Sequence, residues 1–84
     1  MIPIRQLLDR IRWDTAFGRA DFEIGYYDRM KDRIVQVAIR QVSFTAGNHF
    51  SIEAINAEGE PCMLPLHRIR QVFRNGELIW ERHR

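Results

Sequence analysis

Residues 70–81 read Arg70-Gln71-Val72-Phe73-Arg74-Asn75-Gly76-Glu77-Leu78-Ile79-Trp80-Glu81. Asn-Gly between two such runs is the preferred two-residue turn of an antiparallel hairpin. With that turn, Arg74 opposes Glu77, Val72 opposes Ile79 and Arg70 opposes Glu81, while Phe73 meets Leu78 on the other face. Opposite charges across strands contribute about 0.2–1 kcal/mol per pair, so the charges mark the register more than they stabilise it. The chain is expected to end in this hairpin.

Upstream, the same period of two recurs. Phe22, Ile24 and Tyr26 alternate with Glu23, Gly25 and Tyr27. Val35, Val37 and Ile39 share one side, and Val42 and Phe44 then change parity, which predicts a β-bulge near Arg40-Gln41. Phe50, Ile52 and Ala54 alternate, as do Cys62, Leu64 and Leu66. Residues 28–32, Ala46-Gly47-Asn48 and Ala57-Glu58-Gly59-Glu60 read as turns. At the N-terminus the period changes: Ile4, Leu7, Leu8 and Ile11 follow the i, i+3, i+4, i+7 rule of an amphipathic helix from Pro3 to Trp13. Pro3 suits its first turn, Arg5 and Asp9 can pair on the far face, and Thr15 to Ala20 is a loop. The fold expected is α+β: one helix, then about six short antiparallel strands in an open sheet or a small, partly open barrel. Residues 1–84 make one domain.

Composition narrows the function classes. The formal charge is +2, and twelve of the thirteen cationic side chains are Arg. A guanidinium fits a phosphate in two-point contact and lies flat on a ring, which an ammonium does less well. Residues 1–65 carry eight cations and nine anions, while residues 66–84 carry five and two, so the excess is C-terminal and suited to a polyanion. Cys62 stands alone, which excludes an intrachain disulfide and suits a reducing, cytoplasmic setting. No apolar run is long enough to span a bilayer. Catalytic signatures such as a P-loop, C-x-x-C or H-E-x-x-H are missing, and His49, His67, His83 and Cys62 lack metal-site spacing. Neither a metal nor a cofactor is expected.

Arginine keeps company with rings and carboxylates in four places: Arg12-Trp13-Asp14, Tyr26-Tyr27-Asp28-Arg29, His67-Arg68-Ile69-Arg70 and Trp80-Glu81-Arg82. Tyr26 and Tyr27 point to opposite faces, so one packs while the other is free to stack on a base. Trp13 and Trp80 are expected in the core or at its rim. His67, flanked by cations, favours its neutral form and can contact a ribose hydroxyl or a phosphate ester oxygen. Asp14 and Asp28 orient a neighbouring guanidinium or cap a turn.

These clusters, with Arg10-Ile11-Arg12-Trp13-Asp14, Asp21 to Arg29, Leu64-Pro65-Leu66-His67-Arg68-Ile69-Arg70 and Gly76 to Arg82 in that order, resemble the RNA cyclic group end recognition domain family. The family is found in archaea and bacteria and, in animals, beside RNA-processing modules. Leu64-Pro65 departs from a frequent Ile-Pro, and Lys31 to Gly59 matches no motif. The resemblance implies a non-catalytic module that binds single-stranded RNA ends carrying a phosphate or a 2′,3′-cyclic phosphate. It places Arg12, Asp14, Tyr26, Asp28, Arg29, His67, Arg68, Arg70 and Arg82 toward the ligand. RNA-processing proteins are further candidate partners, and a monomer or weak homo-oligomer is expected. Two alternatives stand beside this: a cyclic phosphodiesterase or nuclease using His67 as base, and a protein–protein adaptor built on the C-terminal hairpin.

Overall fold

In the computed structural model, residues 2–44, 50–55 and 59–82 are described. The apolar stripe near the N-terminus does form a helix, α1 (Ile4–Trp13), and Ile4, Leu7, Leu8 and Ile11 are all buried. Pro3 sits just ahead of it in extended conformation, and its carbonyl accepts the amide of Leu7 at 3.2 Å. A 3-10 turn (Phe17–Arg19) follows. Gly18 lies there against the end of α1, where a Cβ would stand 2.4 Å from the Ile11 carbonyl oxygen.

Among the described residues seven strands follow: β1 (Phe22–Asp28), β2 (Arg33–Ala38), β3 (Val42–Ser43), β4 (Ser51–Ile55), β5 (Pro61–Pro65), β6 (Ile69–Arg74) and β7 (Glu77–Glu81). They make two antiparallel sheets, one ordered β2-β1-β6-β7 and the other β3-β4-β5, and no closed barrel. The expected α+β class is therefore found, in its open form and with one strand more than expected. The parity change at Arg40-Gln41 is not a bulge. A 3-10 turn (Ile39–Gln41) ends β2, and the chain leaves the first sheet for the second. Two of the expected turns, at 46–48 and 57–58, fall outside the described residues.

One core joins both sheets to the helix. Phe22, Ile24, Tyr26, Val37, Ile69, Val72 and Trp80 come from the large sheet, Ile52, Ala54 and Leu64 from the small one, and the stripe of α1 completes it. The Trp80 indole N–H donates to the Ile2 carbonyl at 2.8 Å and ties the last strand to the start of α1. Trp13, expected at the core rim, is instead 72% exposed. It lies off the Ile4–Leu7–Leu8–Ile11 stripe, at the final helical position.

The hairpin register differs from the expected one. Asn75 and Gly76 both have positive φ between β6 and β7, and Arg74 faces Glu77 and Phe73 faces Leu78. Beyond that pair the register shifts: Val72 faces Trp80 rather than Ile79, and Gln71, not Arg70, faces Glu81. Ile79 is the extra residue of a β-bulge. The shift turns the large Trp80 side chain inward, where burying it outweighs the roughly 1 kcal/mol of a disturbed ladder bond.

The close approach at Gly18 gives a direct test. Gly18→Ala is expected to lower unfolding free energy by about 1–3 kcal/mol, because the neighbour it meets is backbone and cannot rotate away. Chemical denaturation followed by circular dichroism measures this. An unchanged midpoint would show that the approach is relaxed.

Candidate nucleic-acid interface

A second β-bulge decides where Arg70 points. Against β1, Gly25 faces Gln71 but Tyr26 faces Ile69, so Arg70 is the extra residue. In an unbroken ladder Arg70 would face the core beside Tyr26, and Ile69 would face outward. The bulge sends Ile69 into the core, where it is fully buried, and turns Arg70 onto the opposite face. There its guanidinium lies over the Tyr27 ring, 5.3 Å from the centroid.

Three further groups gather at this corner. The Arg70 carbonyl accepts the Arg82 amide at 2.7 Å. The Arg82 guanidinium donates to the His67 carbonyl at 3.2 Å and lies over the Trp80 ring at 5.2 Å. It thereby braces the 3-10 turn (Leu66–Arg68) that carries His67, whose side chain is exposed, and the half-buried Arg68. A ring and a backbone carbonyl orient a guanidinium without cancelling its charge.

The turn after β1 completes the corner. The Asp28 carboxylate accepts the amides of Met30 at 2.9 Å and Lys31 at 3.3 Å, so it caps the turn. Arg29 is exposed beside it. The Tyr27 hydroxyl donates to the Asp32 carboxylate. That hydrogen bond is the main reason the phenol is held above its ordinary value of 10.0; some burial and the Asp32 charge add to it, while Arg70 and Arg29 pull the other way.

The remaining expected site residues lie elsewhere. Tyr26 is in the core with 6% of its surface exposed. Its neighbour Tyr27 is the outward ring, as the alternation of Phe22, Ile24 and Tyr26 already signals. Asp14 caps the turn below α1: its carboxylate accepts the Phe17 amide at 3.1 Å and lies 3.7 Å from Arg10. Arg12 stacks over Trp13 at 4.8 Å and Phe44 at 4.5 Å. Phe17 packs on Phe22 at the start of β1, with Arg10 and Arg74 both over its ring, at 4.0 and 5.3 Å. Phe22 and Asp28 bound β1, a span of roughly 20 Å at strand rise. The arginines thus form two groups at opposite ends of the large sheet, not one cradle. The resemblance named Tyr26, whereas Tyr27 is the outward ring under Arg70, and the contacts of Arg10 and Arg74 with Phe17 and of Arg12 with Phe44 were not read from the sequence. Pairings that distant in sequence leave no local mark.

A cavity of about 410 Å³ lies at the Phe22 end, with Asp21, Glu23, Arg40 and Asn75 among its walls. Its two carboxylates disfavour an anion, and none of the expected site residues lines it. Among the described residues, no group of three or more His, Cys, Asp or Glu is placed to hold a metal, and no helix is long and apolar enough to cross a membrane.

The RNA cyclic group end recognition profile named MJ1316 matches residues 1–82. The chain belongs to this family. A UPF0248 protein of Saccharolobus solfataricus is 26% identical over 83 residues, covering 96% of this chain and 98% of that relative. No solved structure matches. The family is described as a recognition domain, and its name makes RNA the partner. The fold and the family therefore agree with a binding module, and the relative's printed name adds no activity.

The Tyr27–Asp32 bond makes a pH prediction. A phenol with a raised folded value contributes stability below the unfolded value near 10, and that contribution is lost as pH rises through the folded value. Phenolate absorbance of the protein, differenced against Tyr27→Phe, is expected to show Tyr27 titrating above 10.0. Asp32→Asn should lower that midpoint, because the accepting charge goes while Arg70 and Arg29 remain. An unchanged midpoint in Asp32→Asn would remove Asp32 as the cause.

Proposed function

We propose that this chain is a small, non-catalytic module that works in the cytoplasm and binds single-stranded RNA at a phosphorylated or 2′,3′-cyclic phosphate end. The observation that carries this reading is the outward turn of Arg70 over Tyr27, within a corner that also gathers His67, Arg68 and Arg82. Arg70 and Arg68 are the phosphate ligands, with Arg29 beside them. The Tyr27–Arg70 stack carries the terminal base, since bases lie on guanidinium planes as well as on rings. His67 meets the ribose edge. Arg82 acts through the backbone, holding the His67 turn in place, and Asp28 fixes the turn that presents Arg29. Tyr26, Arg12 and Asp14 take no part in this corner.

An RNA end supplies what such a corner needs. Its last nucleotide is unstacked, and its terminal phosphate adds charge that a 3′-OH end lacks, one unit as the cyclic diester and more as the monoester. A charge-assisted contact to that phosphate contributes about 1.5–3 kcal/mol. Matched oligonucleotides ending in 3′-OH, 3′-phosphate and 2′,3′-cyclic phosphate provide the test by titration. The two phosphorylated ends should bind more tightly. Arg70→Ala should weaken them by roughly 10- to 100-fold and the 3′-OH form, which loses only the base stack, by less. Equal affinity for all three ends contradicts the proposal, and consumption of the cyclic end with time would reassign the corner to a hydrolase.

A further inference from the structure

The cluster at the other end of the sheet has no part in the corner, yet its composition is specific. Trp13 leaves most of its indole in water at the final position of α1, although the core beside it takes four residues of the same helix. Lone exposed apolar side chains need no explanation. This one is not alone: the Arg12 guanidinium lies over both Trp13 and Phe44, so the open ring is stacked, charged and held at a fixed angle. Arg10 and Arg74 lie over Phe17 nearby. Arg10, Arg12, Arg19 and Arg74 are the arginines at this end, against the carboxylates Asp14, Asp21 and Glu23. Asp14 is already engaged by the Phe17 amide and Arg10.

We propose that the Arg12–Trp13–Phe44 stack is a second RNA contact, a base-stacking platform for single-stranded nucleotides internal to the terminus. The inference rests on the reading of the chain as an RNA binder and adds where the rest of the strand goes. Rings interleaved with guanidiniums suit single-stranded nucleic acid: the cations follow the backbone, and the ring accepts any base by its π-face. A protein partner would match an apolar surround, whereas the group stacked on this indole is the Arg12 guanidinium. The platform stands on α1 and on Phe44, which follows β3 of the small sheet, whereas Tyr27 and Arg70 belong to the large sheet. A strand held at both must be several nucleotides long, so the module reads an end and the path leading to it.

Trp13 and Trp80 are the two tryptophans, and Arg82 of the corner lies over Trp80, so the part of a fluorescence response that Trp13→Phe removes reports Trp13. The experiment titrates wild-type protein, Trp13→Ala and Trp13→Phe with 3′-phosphorylated and 3′-OH oligonucleotides of about 2 to 12 nucleotides. Wild-type affinity should rise with length whichever end is present, and Trp13 emission should be quenched by the long forms only. Trp13→Ala should lose about 5- to 150-fold on long oligonucleotides and nothing on the shortest, and Trp13→Phe should recover most of the loss. Because Trp13 is exposed, the unfolding midpoint of Trp13→Ala should match wild type. Affinity independent of length, or a Trp13→Ala protein that binds long oligonucleotides like wild type, overturns the platform. So does an emission change driven by protein concentration alone, which would assign the ring to contact between copies. Length dependence without preference among ends leaves the platform standing and removes end recognition. End preference without length dependence does the reverse.

Discussion

The antiparallel pairing of β1 with β6, broken by one extra residue at Arg70, is the constraint on which the rest depends. It joins strands far apart in the chain and sets the faces of both. An unbroken ladder would direct Arg70 into the core beside Tyr26. Burying an unpaired guanidinium costs several kcal/mol, while a disturbed ladder position costs about one. The bulge is therefore the cheaper solution. It leaves Ile69 fully buried in the common core and Arg70 outside on Tyr27. Packing and the outward placement of a cation follow from one local irregularity.

The second bulge, at Ile79, has the same logic with an apolar cause. Placing Trp80 opposite Val72 buries an indole and satisfies its N–H on the Ile2 carbonyl. The shift moves Glu81 from Arg70 to Gln71, whose amide lies 3.4 Å from the Glu81 carboxylate. A core requirement thereby separates an ion pair that a regular hairpin would have made, and Arg70 keeps its charge for other use.

These two irregularities also explain how far the sequence could be read. Periodicity alone gives α1, because Ile4, Leu7, Leu8 and Ile11 all serve one face. It gives most of the strands, and the alternation through Phe22, Ile24 and Tyr26 already marks Tyr26 as the inward ring. The parity change at Arg40-Gln41 was equally visible, but a bulge and a 3-10 turn that passes the chain to another sheet leave the same trace. Bulge positions depend on which of several apolar residues wins the core, and that contest involves partners dozens of residues away. Nor does sequence order reveal that Arg12 and Asp14 lie at one end of the sheet and His67, Arg68, Arg70 and Arg82 at the other. The resemblance names these residues together, yet Arg12 and Asp14 make their contacts around the end of α1 while Arg70 and Arg82 make theirs elsewhere.

The central claim is that the Arg70 corner, and not the Phe17 end, receives the phosphate. Heteronuclear NMR of the labelled protein, titrated with a ribonucleoside 2′,3′-cyclic monophosphate, tests it most directly, since so small a ligand occupies one end only. Shift changes centred on Tyr27, Arg29, His67, Arg68 and Arg70, saturating together, are the predicted result. Changes confined to Arg10, Arg12, Phe17 and Arg74, or spread evenly over every arginine, would contradict the account.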